Sequence, residues 1–333
     1  MKLKIDKFIL AIITTVFIAY LFPQLGRVNS VIDLDTISSF GISLIFFFYG
    51  LKLSPDKVKS GLKNWKLHVL IQSSTFLLFP LIVLLFLPLI QSNQVKDIWL
   101  AVFFLSALPS TVSSSVVMVS IAKGNIPAAI FNATISGLIG ILITPLWMGL
   151  FLRNQNGDFN LTAVYIKLIT EILLPIIIGL LLHRYLGKYA SKYSTFLTTF
   201  DKSVILLIIY KSFATSFDEN LFSMLQLSSI FAIACCVLLL FATVYFVTGF
   251  ISKKLGFNAE DTITAQFCGT KKSLVHGTIF SKILWHNAAT MGIVLLPLML
   301  FHGIQIFVIS IIAEKKAKRD KHNNIDAPTL NEK

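Results

Sequence analysis

Residues 101–125 read AVFFLSALPSTVSSSVVMVSIAKGN, and residues 262–285 read TITAQFCGTKKSLVHGTIFSKILW. Both are long enough to enter a bilayer, which takes about 20 mostly apolar residues to cross. Neither centre suits an unbroken lipid-facing helix. Pro109 lacks an amide proton and crowds the turn before it, so it breaks or kinks the first segment. Ser106, Ser110, Thr111, Ser113, Ser114, Ser115 and Ser120 surround it. In the second segment Gly269 and Gly277 loosen the helix, while Thr270, Lys271, Lys272, Ser273 and His276 crowd its middle. Small hydroxyls in membrane helices often only allow close packing. Two such clusters at matching places point instead to function, because freed backbone groups at membrane depth need water, ions, substrate or protein as partners.

Apolar stretches flank these two near 8–23, 38–52, 67–90, 126–152, 161–183, 203–218, 223–251 and 287–313. With 98–122 and 261–281 they make ten expected spans. The 333 residues are 55% hydrophobic and only 14% charged, against about a quarter charged in soluble domains. A soluble enzyme is thereby excluded, and an all-α membrane protein is predicted. With the N-terminus in the cytoplasm, 21 Lys and Arg fall in inside segments and four, Arg27, Lys96, Arg153 and Lys282, in outside ones. That asymmetry is the positive-inside pattern. Both ends are then cytoplasmic, and the expected location is the cell (inner) membrane. The net charge of +13 follows as a topology signal and an attraction to anionic lipid heads, not a nucleic-acid footprint. Residues 1–23 resemble a secretory signal peptide, but the exit LFPQLG holds no small-residue cleavage site. Cys235, Cys236 and Cys268 form no disulfide framework. Residues 314–333 form a charged cytoplasmic tail, disordered or partly helical.

The chain repeats itself. FIAYLFPQLG ends at Gly26 and IGLLLHRYLG at Gly187; LIFFFYGLKLS carries Tyr49 and LLIIYKSFATS carries Tyr210. Both offsets are 161. Ser113 and Ser273 differ by 160, Pro145 and Pro297 by 152. Two five-helix halves, about 1–155 and 156–313, are expected. Because five is odd they enter the membrane from opposite sides, as an inverted repeat does. Within one transmembrane domain at 1–313, the fourth and ninth helices are predicted to be broken and to cross.

Charges at bilayer depth are costly and seldom idle. They are Lys271, Lys272, Lys211, Lys167 and Glu171. Lys167 and Glu171 are four apart and can pair. Either of the adjacent lysines, or His276, could exchange a proton. A Lys271 or Lys272 ammonium aimed at the crossover could satisfy freed carbonyls and the Ser113–Ser115 hydroxyls as a tethered cation. Turned toward substrate it could hold an anion; paired with Glu171 it would be a structural bridge. His302 reads as a satisfied core residue.

The stretches FFFYGLKLS (46–54), ALPSTVSSSVVMVSIAKGNIPAAIFNATISGLIGILITPLW (107–147) and FCGTKKSLVHG (267–277) resemble the bile acid:sodium symporter superfamily. They look most like its bacterial branch related to the divergent seventh member of the human bile-acid carrier family. The resemblance implies a panel of helices one, two, six and seven beside a core of the other six. Substrate would bind between panel and core, and ions behind the crossover. In the sodium-coupled branch the fourth helix carries a Ser-Asn pair, which falls here on Ser115-Val116. The ninth carries an acidic residue, falling near Phe267 beside Gln266, and a Gln-Asn pair, falling on Lys271-Lys272. Ammonium groups thus replace amides, which counts against sodium coupling and against bile acids as substrates. A weakened sodium site would be left to Ser115, Asn132 and Gln266.

The expected function is a secondary active transporter of a small organic anion by alternating access, with proton coupling an option. The substrate or ion-binding residues are Ser113, Ser114, Ser115, Asn132, Gln266, Thr270, Lys271, Lys272, Ser273, His276 and Glu171. No cofactor is expected beyond a sodium ion. The alternative is a non-transporting membrane regulator of ion homeostasis or a scaffold. No H-E-x-x-H or G-x-S-x-G motif supports an enzyme. The sequence names no substrate and fixes no oligomeric state.

Overall fold

Long runs of Leu, Ile, Phe and Val leave a chain at membrane depth only its own backbone to bond, and a helix meets that need within one segment. A computed structural model describes residues 7–26, 34–53, 64–90, 92–111, 113–152, 160–220, 227–285 and 288–325. Among them there is no strand. The helices are α1 (Lys7–Leu21), α2 (Leu34–Lys52), α3 (Trp65–Leu89), α4 (Asn93–Ala107), α5 (Ser113–Ile121) and α6 (Ile126–Leu152). They continue as α7 (Leu161–Lys192), α8 (Ser194–Asp218), α9 (Leu227–Lys254), α10 (Ala259–Gly269), α11 (Leu274–Leu284) and α12 (Ala288–Ile325). Six of them, α2, α3, α6, α7, α9 and α12, are long and apolar enough to cross a membrane. Exposed Leu181, Phe231 and Phe246 suit a lipid solvent, since a water-facing surface gains nothing from them.

Local chemistry explains the ends and irregularities. Ser92 caps α4 by accepting the Val95 N–H, and Asn160 caps α7 by accepting the N–H groups of Thr162 and Ala163. Short π-helical turns, Ser74–Leu78 in α3 and Ile169–Leu173 in α7, precede Pro80 and Pro175. A widened turn relieves the clash between a proline ring and the carbonyl four residues back. Helix α12 runs past the expected boundary at 313 to Ile325, because Glu, Lys and Arg are good helix formers. Residues 326–333 of the tail lie outside the described residues.

Two groups of helices emerge from the packing. Helix α2 lies along α7, and α8 packs on α1 and α2. A Cβ on Gly50 would strike the Ile176 carbonyl, and one on Gly179 the Phe47 carbonyl. These glycines let the two backbones approach closely. The other helices surround a core that includes Phe79, Phe103, Phe104, Phe267, Phe280 and Phe301, all essentially inaccessible. Helix α8 also meets α12, joining the groups.

Candidate functional site

The two segments singled out by sequence are both interrupted. Helix α4 stops at Ala107, where Leu108 is extended at ψ 152°. A residue before proline is pushed to that conformation. Helix α5 resumes at Ser113. Helix α10 stops at Gly269, and Ser273 restarts the chain as α11 by accepting the His276 N–H.

The interruptions supply each other's missing bonds. Ser273 donates its N–H to the Pro109 carbonyl at 2.9 Å. Ser110 donates its hydroxyl to the Cys268 carbonyl at 2.7 Å, and its N–H to Ser136 Oγ at 2.9 Å. The Pro109 ring lies against Gly140, where a Cβ would come within 2.8 Å of it. Thus α6 holds the first break in place.

Lys271 and Lys272 are both 0% exposed, and their surroundings differ. Lys272 Nζ donates to the carbonyls of Thr75, Ser106 and Leu108 at 2.7, 2.6 and 2.9 Å. It also sits 4.2 Å from the centre of the Phe79 ring, where a cation is favoured. A neutral amine has two N–H groups, so three accepting carbonyls call for the ammonium form. The Lys272 backbone is clamped by Gln305 of α12, whose Oε1 accepts its N–H at 2.8 Å and whose Nε2 donates to its carbonyl at 2.9 Å. Lys271 Nζ donates instead to one carbonyl, that of Ser114, at 2.7 Å.

The remaining expected residues divide. Ser114 and Ser115 share hydrogen bonds with Thr111 Oγ1, each at 2.8 Å. Thr270, just past the end of α10, donates its hydroxyl back to the Gln266 carbonyl at 2.6 Å. Ser273 and His276 bond through Oγ and Nδ1 at 2.9 Å, and the His276 ring meets Phe46 of α2 edge-on. The Ser113 side chain lies outside the described residues. Ser115, Asn132 and Gln266 are not brought together by any described contact. Asn132 engages His68 and Gln72 of α3, while Gln266 donates to the Tyr245 carbonyl of α9.

Glu171 makes no described contact with either interruption. It lies in the π-turn of α7, within electrostatic range of Lys282, and no ion pair with Lys167, Lys271 or Lys272 is present among the described residues. A structural bridge to either adjacent lysine is therefore corrected. Lys211 pairs with Asp35 at the start of α2. His302 is a buried neighbour of Gln305 Nε2, as read from the sequence.

Sequence reasoning missed Gln305, Thr75, Phe79 and Asp35. A lone buried Gln in the apolar run of α12 was a signal for the first. The Thr75 carbonyl and the Phe79 ring carry no such mark, since only folding places them beside Lys272.

The profile of the SBF-like CPA transporter family matches residues 6–318. The chain is 36% identical over 316 residues to an uncharacterised Pseudomonas aeruginosa protein, PA2026, covering 94% of this chain and 93% of that one. It is 33% identical over 311 residues to YfeH of Escherichia coli, whose name carries the word symporter, covering 93% and 92%. Sodium/bile acid cotransporter 7-B of Xenopus laevis is 31% identical over 320 residues, covering 93% and 91%.

Proposed function

The chain belongs to the SBF-like CPA transporter family, and from that premise we propose that it is a secondary transporter of a small organic anion, working by alternating access. It crosses the membrane ten times as two inverted halves, with both ends cytoplasmic. Helices α1, α2, α7 and α8 form one moving body, and α3–α6 with α9–α12 form the other. The substrate path runs between them, past Tyr49, Phe46 and His276. Support comes from the charge asymmetry of the loops, the paired interruptions, and the packing of α2 on α7 and of α8 on α1 and α2. An anionic substrate is favoured because buried ammonium groups outnumber carboxylates at the interruptions.

The observation that carries the mechanism is the Lys272 ammonium on three carbonyls. Backbone oxygens converging at a break are a cation site. Here the protein's own cation takes the place, so sodium does not fit there. Coupling, where it exists, then falls to protons, with Lys271 the more weakly bonded of the two lysines. The test is uptake of radiolabelled organic anions by purified protein in liposomes, with sodium or potassium outside and with or without a pH gradient. Uptake indifferent to the alkali cation but steepened by the pH gradient is expected. A sodium requirement would overturn the tethered cation, and absence of uptake for every anion tried would overturn the transporter reading.

A further inference from the structure

A second charged cluster lies apart from the interruptions. Lys282, near the end of α11, donates from Nζ to the Asp35 carbonyl at 2.8 Å and to Ser39 Oγ at 3.0 Å, and lies 4.0 Å from the Asp35 carboxylate. Both acceptors belong to α2. Lys211 of α8, only 7% exposed, pairs with the same carboxylate. Glu171 and Lys167 of α7 add their charges to the field at Lys282. Tyr165 of α7 donates to the Leu142 carbonyl of α6 at 2.9 Å. In the proposed orientation, all these groups lie toward the outer ends of their helices. At the opposite ends, the Lys52–Asp201 ion pair and the bond between His183 and the Leu51 carbonyl stay within α2, α7 and α8.

The Lys282 and Tyr165 contacts therefore join the two bodies on the outer side; toward the inner side the Tyr49 hydroxyl of α2 also reaches across, donating to the Thr134 carbonyl of α6 at 3.2 Å. We propose that Asp35, Lys211 and Lys282 form the outer gate of the transport path, and that Lys282, once released from α2, is the first recognition group for an anionic substrate. The inference rests on the alternating-access reading. Asp35 and Lys211 sit on one body, so they stay paired when the bodies part. Lys282 sits on the other and loses the Asp35 carbonyl and Ser39 together. Opening leaves its ammonium facing the new cleft without its α2 acceptors, and a carboxylate or sulfonate arriving from outside replaces them. In the closed state, Asp35 takes the place that the anion takes in the open one.

Thr278 lies one turn deeper than Lys282 on the same face of α11 and is 0% exposed, so Thr278→Cys reports opening. A membrane-impermeant maleimide is applied from outside to the full chain in liposomes, with the native cysteines measured as background. Asp35→Asn or Lys282→Gln should each raise the labelling rate about tenfold, the factor that about 1.4 kcal/mol represents. Lys282→Arg should leave it slow. Lys282→Gln removes the ammonium donor, and Asp35→Asn removes the carboxylate charge 4.0 Å from it while leaving the Asp35 carbonyl and Ser39 in place, so a fold defect in one leaves the other to decide. Equal labelling in all variants would overturn the gate, whatever uptake shows. For recognition, the probes are benzoate and its neutral counterpart benzamide, added to the Asp35→Asn reporter. Benzoate should slow labelling several-fold more than benzamide, and Lys282→Gln should remove the difference. Equal effects of the two probes with Lys282 present would overturn the anion site while leaving the gate. Uptake failing for every anion, with labelling behaving as expected, would overturn the transporter reading rather than the gate.

Discussion

Lys271 and Lys272 are neighbours in sequence and equally buried, yet they hold different positions in the hydrogen-bond economy of the site. Lys272 saturates three carbonyls and touches an aromatic face. Removing it strands those oxygens, and an unsatisfied buried polar group costs about 1–3 kcal/mol. Lys272→Gln replaces at most two of the three bonds. It should lower stability by about 2–4 kcal/mol, read as a clear fall in the thermal unfolding midpoint in detergent. Lys271→Gln loses one bond, to Ser114, and should cost about 1 kcal/mol. Equal shifts for the two variants would refute the distinction. That two lysines stand at this interruption, where charge at membrane depth is costly, was legible from sequence. Which lysine grips the carbonyls was not, since adjacent residues point in different directions and only the partner atoms decide.

At the scale of elements, the interruptions could be read in advance and the partners of the helices could not. Pro109 forces Leu108 into the extended form wherever the segment lies. Gly269, followed by Ser273 as a cap, ends one helix and starts another by local chemistry alone. The approach of α2 to α7 is different, because Gly50 and Gly179 are 129 positions apart and carry no local signal of contact. Gly50→Val would drive a side chain into the Ile176 carbonyl and should destabilise by about 1–3 kcal/mol, as overpacking does. The same change at Gly303, where a Cβ meets nothing within 4 Å, should be nearly neutral. Matching unfolding midpoints for the two variants would show that the α2–α7 contact is looser than the structure has it.

For the whole molecule, the decisive quantity is the split of positive charge between loops, and it predicts which side each loop faces. A cysteine at Asn156, in the stretch 153–159 outside the described residues, should react with an impermeant maleimide from outside intact cells. One at exposed Lys188 should react only after permeabilisation. The reverse pattern would overturn the ten-span orientation and, with it, the outer placement of the Lys282 gate. The sequence alone determined the helical class, the membrane solvent, the places of both breaks and the family. Each of these follows from composition, period or local backbone chemistry, which act along the chain. Only the tertiary structure decided that Gln305 clamps Lys272, that Glu171 stands near Lys282 rather than at the interruptions, and that Asp35 meets lysines from two other helices. Those pairings join residues many helices apart, and a hydrogen bond of 3 Å depends on how the helices pack, which the periodicity of no single segment encodes.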